Sequence, residues 1–205
     1  MTRDRRRVLR GAAWAVAGWL AAGLAGCDLG KSGPSFKNAD ITGANYAQDF
    51  KLTGHDGKTY TLADFKGKVV VIFFGFTQCP DVCPTNLMEL AEAKKRMGAE
   101  GERVQVLFVT LDPERDTRQV MAQYATSFDP TAIGLYADPH TIAQTAKAFK
   151  VFYQKVPGKT PDSYTLEHTA GSYVFDRSGK VRLFVRHGQG LDALTHDLKQ
   201  LVEFG

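Results

Sequence analysis

Residues Val69-Val70-Val71-Ile72-Phe73-Phe74 form an unbroken run of β-branched and aromatic side chains with no polar member. A strand with one wet face alternates apolar and polar residues. A continuous run instead needs cover on both faces, the situation of a central strand in an α/β sheet. Residues 104–110 read as a second buried strand. Between the two, residues 86–97 place Leu87, Leu90, Ala91 and Lys94 on one helical face, with Gly98 as the stop signal. Further helices are expected over 117–127, 141–149 and 191–204, and strands over 133–137, 151–155, 171–176 and 181–185. Ser178-Gly179 turns the last two strands into a hairpin, and Asp56-Gly57 marks another near the start of the domain, between 50–53 and 60–62. The expected fold class is α/β: a central mixed sheet flanked by helices, with an N-terminal hairpin. A domain of about 155 residues is long enough to bury close to 70% of its surface.

Charge separates this domain from what precedes it. The chain has 26 bases and 22 acids, but residues 1–26 hold five of the bases (Arg3, Arg5, Arg6, Arg7 and Arg10) and one of the acids, Asp4. The rest balances at 21 of each, so net charge gives no argument for nucleic-acid binding. An arginine cluster followed by 16 uncharged residues, 11–26, has the order of a secretory signal and falls short of the roughly 20 residues a membrane-spanning helix requires. Leu24-Ala25-Gly26-Cys27 resembles a bacterial lipobox. On this reading 1–26 is a lipoprotein signal peptide and Cys27 the lipid anchor, while 27–45, rich in Gly, Ser, Asn and Lys, is a tether and 46–205 the folded domain. Asp28 after the anchor is a placement that in enteric bacteria holds lipoproteins at the inner membrane. Arg5-Arg6-Arg7-Val8-Leu9 also resembles a twin-arginine signal, so the export route stays open. The expected location is the periplasmic face of a bacterial inner membrane.

With Cys27 assigned to the anchor, Cys79 and Cys83 remain. They lie in Phe76-Thr77-Gln78-Cys79-Pro80-Asp81-Val82-Cys83-Pro84, between the first buried strand and a helix, where α/β folds carry function and a helix N-terminus favours thiolate. Three intervening residues put the two sulfurs one helical turn apart on one side, able to close a disulfide or clamp a soft metal ion. A disulfide around so small a loop constrains the unfolded chain little, which argues against a purely structural bond. Among the histidines, His55, His140 and His196 read as surface or capping residues. His187 follows the last strand and stays ambiguous. His168, in a loop ahead of the strand at 171–176, is the better candidate for a third ligand.

Three motifs in this order, 74–84, then Leu111-Asp112-Pro113-Glu114-Arg115-Asp116-Thr117, then Glu167-His168-Thr169 ahead of Tyr173-Val174-Phe175-Asp176, resemble the Sco/SenC family of thioredoxin-like copper proteins over residues 48–201. The resemblance implies a thioredoxin-like fold, membrane attachment and a role in assembling the binuclear copper centre of cytochrome c oxidase, with oxidase subunit II or a related copper protein as partner. Carried over position by position, the copper ligands fall on Cys79, Cys83 and His168. Glu167 stands where other members often have Asp. Two sulfurs and one imidazole suit both Cu(I) and Cu(II) at low coordination number, whereas structural zinc wants a fourth ligand. Asp112, Glu114, Arg115 and Asp116 are read either as shaping the site rim or a docking surface, or as a helix cap and a local ion pair.

The chain is thus expected to be a metallochaperone rather than an enzyme. The main alternative is a thiol-disulfide oxidoreductase, with Cys79 and Cys83 redox-active and reducing the cysteines of the oxidase copper site. Thioredoxins, however, separate their cysteines by two residues and place a proline where this chain has the stretch 167–172. A peroxidase is suggested by Thr77 two residues before Cys79, but no proline precedes it in 71–76.

Overall fold

The computed structural model describes residues 33–160 and 163–205, so the segment 1–26, Cys27 and the start of the tether lie outside the described residues. The apolar run is strand β4 (Val69–Gly75), paired in parallel with β5 (Val104–Thr110) from Val69 opposite Val104 to Gly75 opposite Thr110. Every residue of both strands is buried, as a run without alternation requires. Helix α1 (Val82–Arg96) makes the crossover between them, and α2 (Arg118–Phe128) leads from β5 to its second parallel neighbour, β6 (Ile133–Tyr136).

The other half of the sheet is antiparallel, and a tight turn joins its last two strands. β9 (Gly171–Phe175) pairs with β4 and then with β10 (Val181–Arg186). Gly179, at φ +83°, supplies the left-handed residue of their turn. The expected N-terminal hairpin forms from β2 (Leu52–Gly54) and β3 (Thr59–Tyr60) and closes the far edge against β6. With β1 (Ala39–Asp40) on the opposite edge, the strand order is β1-β10-β9-β4-β5-β6-β2-β3.

Period-two alternation along β4 decides what each face supports. Phe74 packs on Phe149, the residue that ends α3 (Pro139–Ala148), with ring centroids 5.1 Å apart. Phe73 points the other way, stacking on Phe108 of β5 and meeting the edge of His168. The last helix, α4 (Leu191–Phe204), buries Leu194, Leu198, Leu201 and Val202 and packs against α1.

Two features depart from the sequence expectation. Composition makes 27–45 a tether, yet within the described residues the chain is docked from Lys37 onward. Asp197 of α4, fully buried, accepts hydrogen bonds from the backbone N–H of Lys37 (2.9 Å) and of Asn38 (2.8 Å) and from the Asn38 side chain (2.8 Å), and β1 adds a strand to β10. The polar residues that suggested a linker are here hydrogen-bonding to a buried carboxylate. Second, the expected strand near 151–155 is β7 (Tyr153–Pro157), and it has an unanticipated partner, β8 (Tyr164–His168). The two form a separate two-stranded sheet with Tyr153 opposite His168.

Candidate metal centre

Helix α1 begins four residues before its apolar periodicity does, with Asp81 at the N-cap position, so Cys83 and Pro84 fall in the first turn. Proline there gives up only an N–H that the first turn leaves unpaired. Cys79 sits in the loop between β4 and α1, where its sulfur accepts the Cys83 backbone N–H at 3.3 Å. The N-terminal end of α1 is thereby turned toward the Cys79 sulfur. Cys79 is half-buried and Cys83 fully buried, and neither is in a disulfide.

The depth of Cys83 depends on Gly75, the last residue of β4. A Cβ at that position would stand 2.7 Å from the Cys83 sulfur and 2.9 Å from the Phe108 ring, so only glycine leaves room for the thiol against the strand. His168, at the end of β8, completes the group. Its ring lies edge-on to Phe73 and Phe76, with centroids at 6.1 and 6.0 Å. Nδ1 is 3.1 Å from the carbonyl oxygen of Thr169, which can only accept, so Nδ1 carries the proton and Nε2 keeps its lone pair. Nε2 faces the Cys83 sulfur at 3.6 Å. The Cys79, Cys83 and His168 donor atoms all lie within 4.8 Å of one another.

Burial pushes the Cys83 thiol up from its ordinary value, and the hydrogen bond with Cys79 adds to the effect. Cys83 therefore holds its proton at neutral pH and donates it toward Nε2. Burial lowers the His168 value, with the Thr169 carbonyl opposing, so the imidazole stays neutral. The arrangement is a thiol-imidazole pair whose proton a metal ion would displace.

Two groups from the loop after β5 brace the site. Asp116, 2% exposed, accepts from the Thr77 backbone N–H (3.1 Å), the Thr77 hydroxyl and the Thr110 hydroxyl (2.7 Å), tying the cysteine loop to β5. Its burial raises the carboxyl above the ordinary value against the pull of those bonds. Thr77, the residue that suggested a peroxidase, is occupied in this structural role. Arg115 pairs with Asp112 and also donates to Gln78 Oε1 (3.0 Å), next to Cys79. The cap of α2 belongs to Thr117, whose hydroxyl accepts from Val120 N. Of the sequence readings, the local ion pair falls on Arg115 and the cap on Thr117 rather than Asp116, while Asp116 and Arg115 both reach the cysteine loop. Sequence reasoning missed Gly75, whose role is a clearance to the Cys83 sulfur, and the pairing of Asp116 with Thr77, a contact across 39 residues. It also missed Tyr164.

The remaining histidines stay out of the group. His55 Nδ1 accepts from Gly134 N (2.9 Å), His140 lies beside Gln144, and His196 bonds Asp197. The backbone of His187 bonds Ala170.

Two soft thiols and one imidazole with a free Nε2 form a donor set suited to copper. Mounted at the strand-helix junction of a mixed sheet, with the imidazole brought in by an accessory hairpin, they define a thioredoxin-like protein with a histidine added to its dithiol. The comparisons with known proteins agree. Residues 38–203 match the family model described as SCO1/SenC, and the chain belongs to that family. It is 34% identical over 154 residues to a protein named as the mitochondrial SCO2 homolog of Bos taurus, a match covering 74% of this chain and 58% of that relative's length. It is similar to the structure of Bradyrhizobium japonicum ScoI with copper bound (42% identity, TM-score 0.68, 75% of this chain and 97% of that one). It is also similar to the solution structure of apo Sco1 from Thermus thermophilus (38% identity, TM-score 0.72, covering 82% and 98%).

Proposed function

We propose that the chain is a membrane-anchored copper metallochaperone that helps assemble the binuclear copper centre of cytochrome c oxidase. Copper, as cargo, is held by Cys79, Cys83 and His168 and passed to oxidase subunit II or a related copper protein. The observation that carries this reading is the convergence of two thiols and an imidazole whose only free nitrogen faces them. The copper-bound relative and the family membership support it. Unequal burial suits a carrier: fully buried Cys83 holds the ion from the protein side, while half-buried Cys79 and His168 leave it within reach of an incoming sulfur of the recipient. Metal binding displaces thiol protons, so affinity rises with pH.

A second reading, reduction of the recipient's disulfide, is favoured by the Cys83 amide on the Cys79 sulfur. Cys79 attacks as thiolate, Cys83 resolves the mixed disulfide, and two electrons pass to the recipient as Cys79 and Cys83 join. The two roles use the same pair at different times. For localisation we propose lipidation of Cys27 and residence on the periplasmic face of the inner membrane, supported by the order of charge, apolar run and lipobox in the sequence.

Anaerobic copper titration of the reduced protein tests the main reading. One copper per chain with a sulfur-to-Cu(II) charge-transfer band is expected, and His168→Ala should weaken Cu(II) binding by more than the roughly 10- to 100-fold that losing a ligand's outer partner costs. No band in the wild type and undiminished affinity in His168→Ala overturn it. A reductase alone loses activity with Cys79→Ser and tolerates the loss of His168.

A further inference from the structure

His168 reaches the cysteines from a hairpin that shares no ladder with the main sheet. Its C-terminal side is fixed through β9, which begins three residues on in the main sheet, with His187 N bonding the Ala170 carbonyl. The β8 side needs a hold of its own to set the distance between Nε2 and the Cys83 sulfur. Tyr164, Leu166 and His168 alternate along β8 and so share one face, and of these Leu166 is buried. Tyr164, at the other end of that face, is bound to the domain in three ways. Its hydroxyl donates to Asp112 Oδ1 at 2.8 Å, and Asp112 is almost fully buried. Its ring lies under the Arg115 guanidinium (3.7 Å to the centroid) and within 4.5 Å of the Lys155 ammonium. Its carbonyl oxygen accepts from Arg115 Nη1 at 2.9 Å.

The same Arg115 nitrogen donates to Gln78, the residue before Cys79. Arg115 Nε is spent on Asp112, and Lys155 is held by Glu114 at 2.7 Å. One guanidinium thus joins the loop that carries Cys79 to the strand that carries His168.

We propose that Tyr164 is a positioning residue for the third metal ligand. With Arg115 and Asp112 it clasps β8 to the loop after β5 and so fixes His168 against Cys83. The inference deepens the copper reading and takes its significance from it, but the clasp has consequences without metal. When the clasp is removed, the thiols stay where α1 and Gly75 hold them and His168 loses its fixed position. The site then becomes a two-sulfur site that retains Cu(I) and handles Cu(II) poorly.

The test uses the reduced, metal-free full chain in detergent. Imidazole 15N resonances report the His168 tautomer, and amide exchange reports the order of residues 165–168. In Tyr164→Ala, loss of the fixed Nδ1–H tautomer and amide exchange in 165–168 at least about ten-fold faster than in the wild type are expected, with exchange in β4 and β5 and global circular dichroism unchanged. Tyr164→Phe, which keeps the ring stack and loses the Asp112 bond, and Arg115→Lys should fall between. On adding Cu(II), Tyr164→Ala should give the electron paramagnetic resonance spectrum of His168→Ala, without imidazole nitrogen coupling. Wild-type tautomer, exchange and nitrogen coupling in Tyr164→Ala overturn the proposal. If that variant does not fold, unchanged His168 signals in both Tyr164→Phe and Arg115→Lys overturn it instead. Should the wild type bind no copper, the copper reading fails, and the metal-free arms still decide whether the clasp exists.

Discussion

Cys83 shows how much of this site is settled by single side chains. Its sulfur is placed by an absent Cβ at Gly75, its proton is retained by burial, and its partner nitrogen is selected by the carbonyl of Thr169. A stability consequence follows. Below the ordinary thiol value of 9.0 both folded and unfolded chains carry the Cys83 proton. Above it the unfolded chain releases the proton and the folded chain does not, so stability falls as pH rises through that window. Urea unfolding of the reduced, metal-free protein at pH 8 and pH 9.5 should show this loss, and Cys83→Ser should reduce it, the remainder coming from Tyr124 and Tyr173, which burial also holds above their ordinary value. The cysteine pair was legible because two thiols one turn apart at a strand-helix junction have few uses. His168 was legible as a candidate only, since spacing does not say which of five histidines returns to the loop. Gly75 was not legible as a site residue at all, because its role is a clearance to a side chain eight positions on.

At the scale of elements, apolar content decided what could be foreseen. β4 and β5 are buried on both faces and announce themselves, whereas β8 is half-exposed, and its alternation of Tyr164, Leu166 and His168 is short and mixed in polarity. β1 is two residues long and hidden in linker-like composition. What holds it is a carboxylate 159 positions away in the chain, which no local pattern reveals. Replacing Asp197 by Ala strands the amides of Lys37 and Asn38, and the expected cost is about 1–3 kcal/mol in urea unfolding. The Cys79-Cys83-His168 group, on other elements, should bind copper as before. A cost below about 0.5 kcal/mol, within the range of ordinary surface substitutions, contradicts the assigned role of Asp197 as an anchor.

For the whole molecule, the docking of Lys37 changes what an anchor at Cys27 implies. A tether running to residue 45 gives the domain wide reach. The ten steps from Cys27 to Lys37 span no more than about 36 Å when fully extended. On the proposed lipidation, then, the site works close to the membrane surface. Cys27→Ser should shift the protein from the membrane pellet to the soluble periplasmic fraction with copper stoichiometry intact, and unchanged membrane retention contradicts the anchor. The excess of positive charge lies wholly in the first 26 residues, and the balanced remainder is consistent with a partner recognised by contact rather than by a broad field.

If Cys79, Cys83 and His168 form one coordination sphere, X-ray absorption at the copper edge of the Cu(II)-loaded protein should show two sulfurs and an imidazole nitrogen. In His168→Ala that imidazole should be lost and both sulfurs retained. A first shell without sulfur, or the same imidazole contribution in both proteins, contradicts this arrangement.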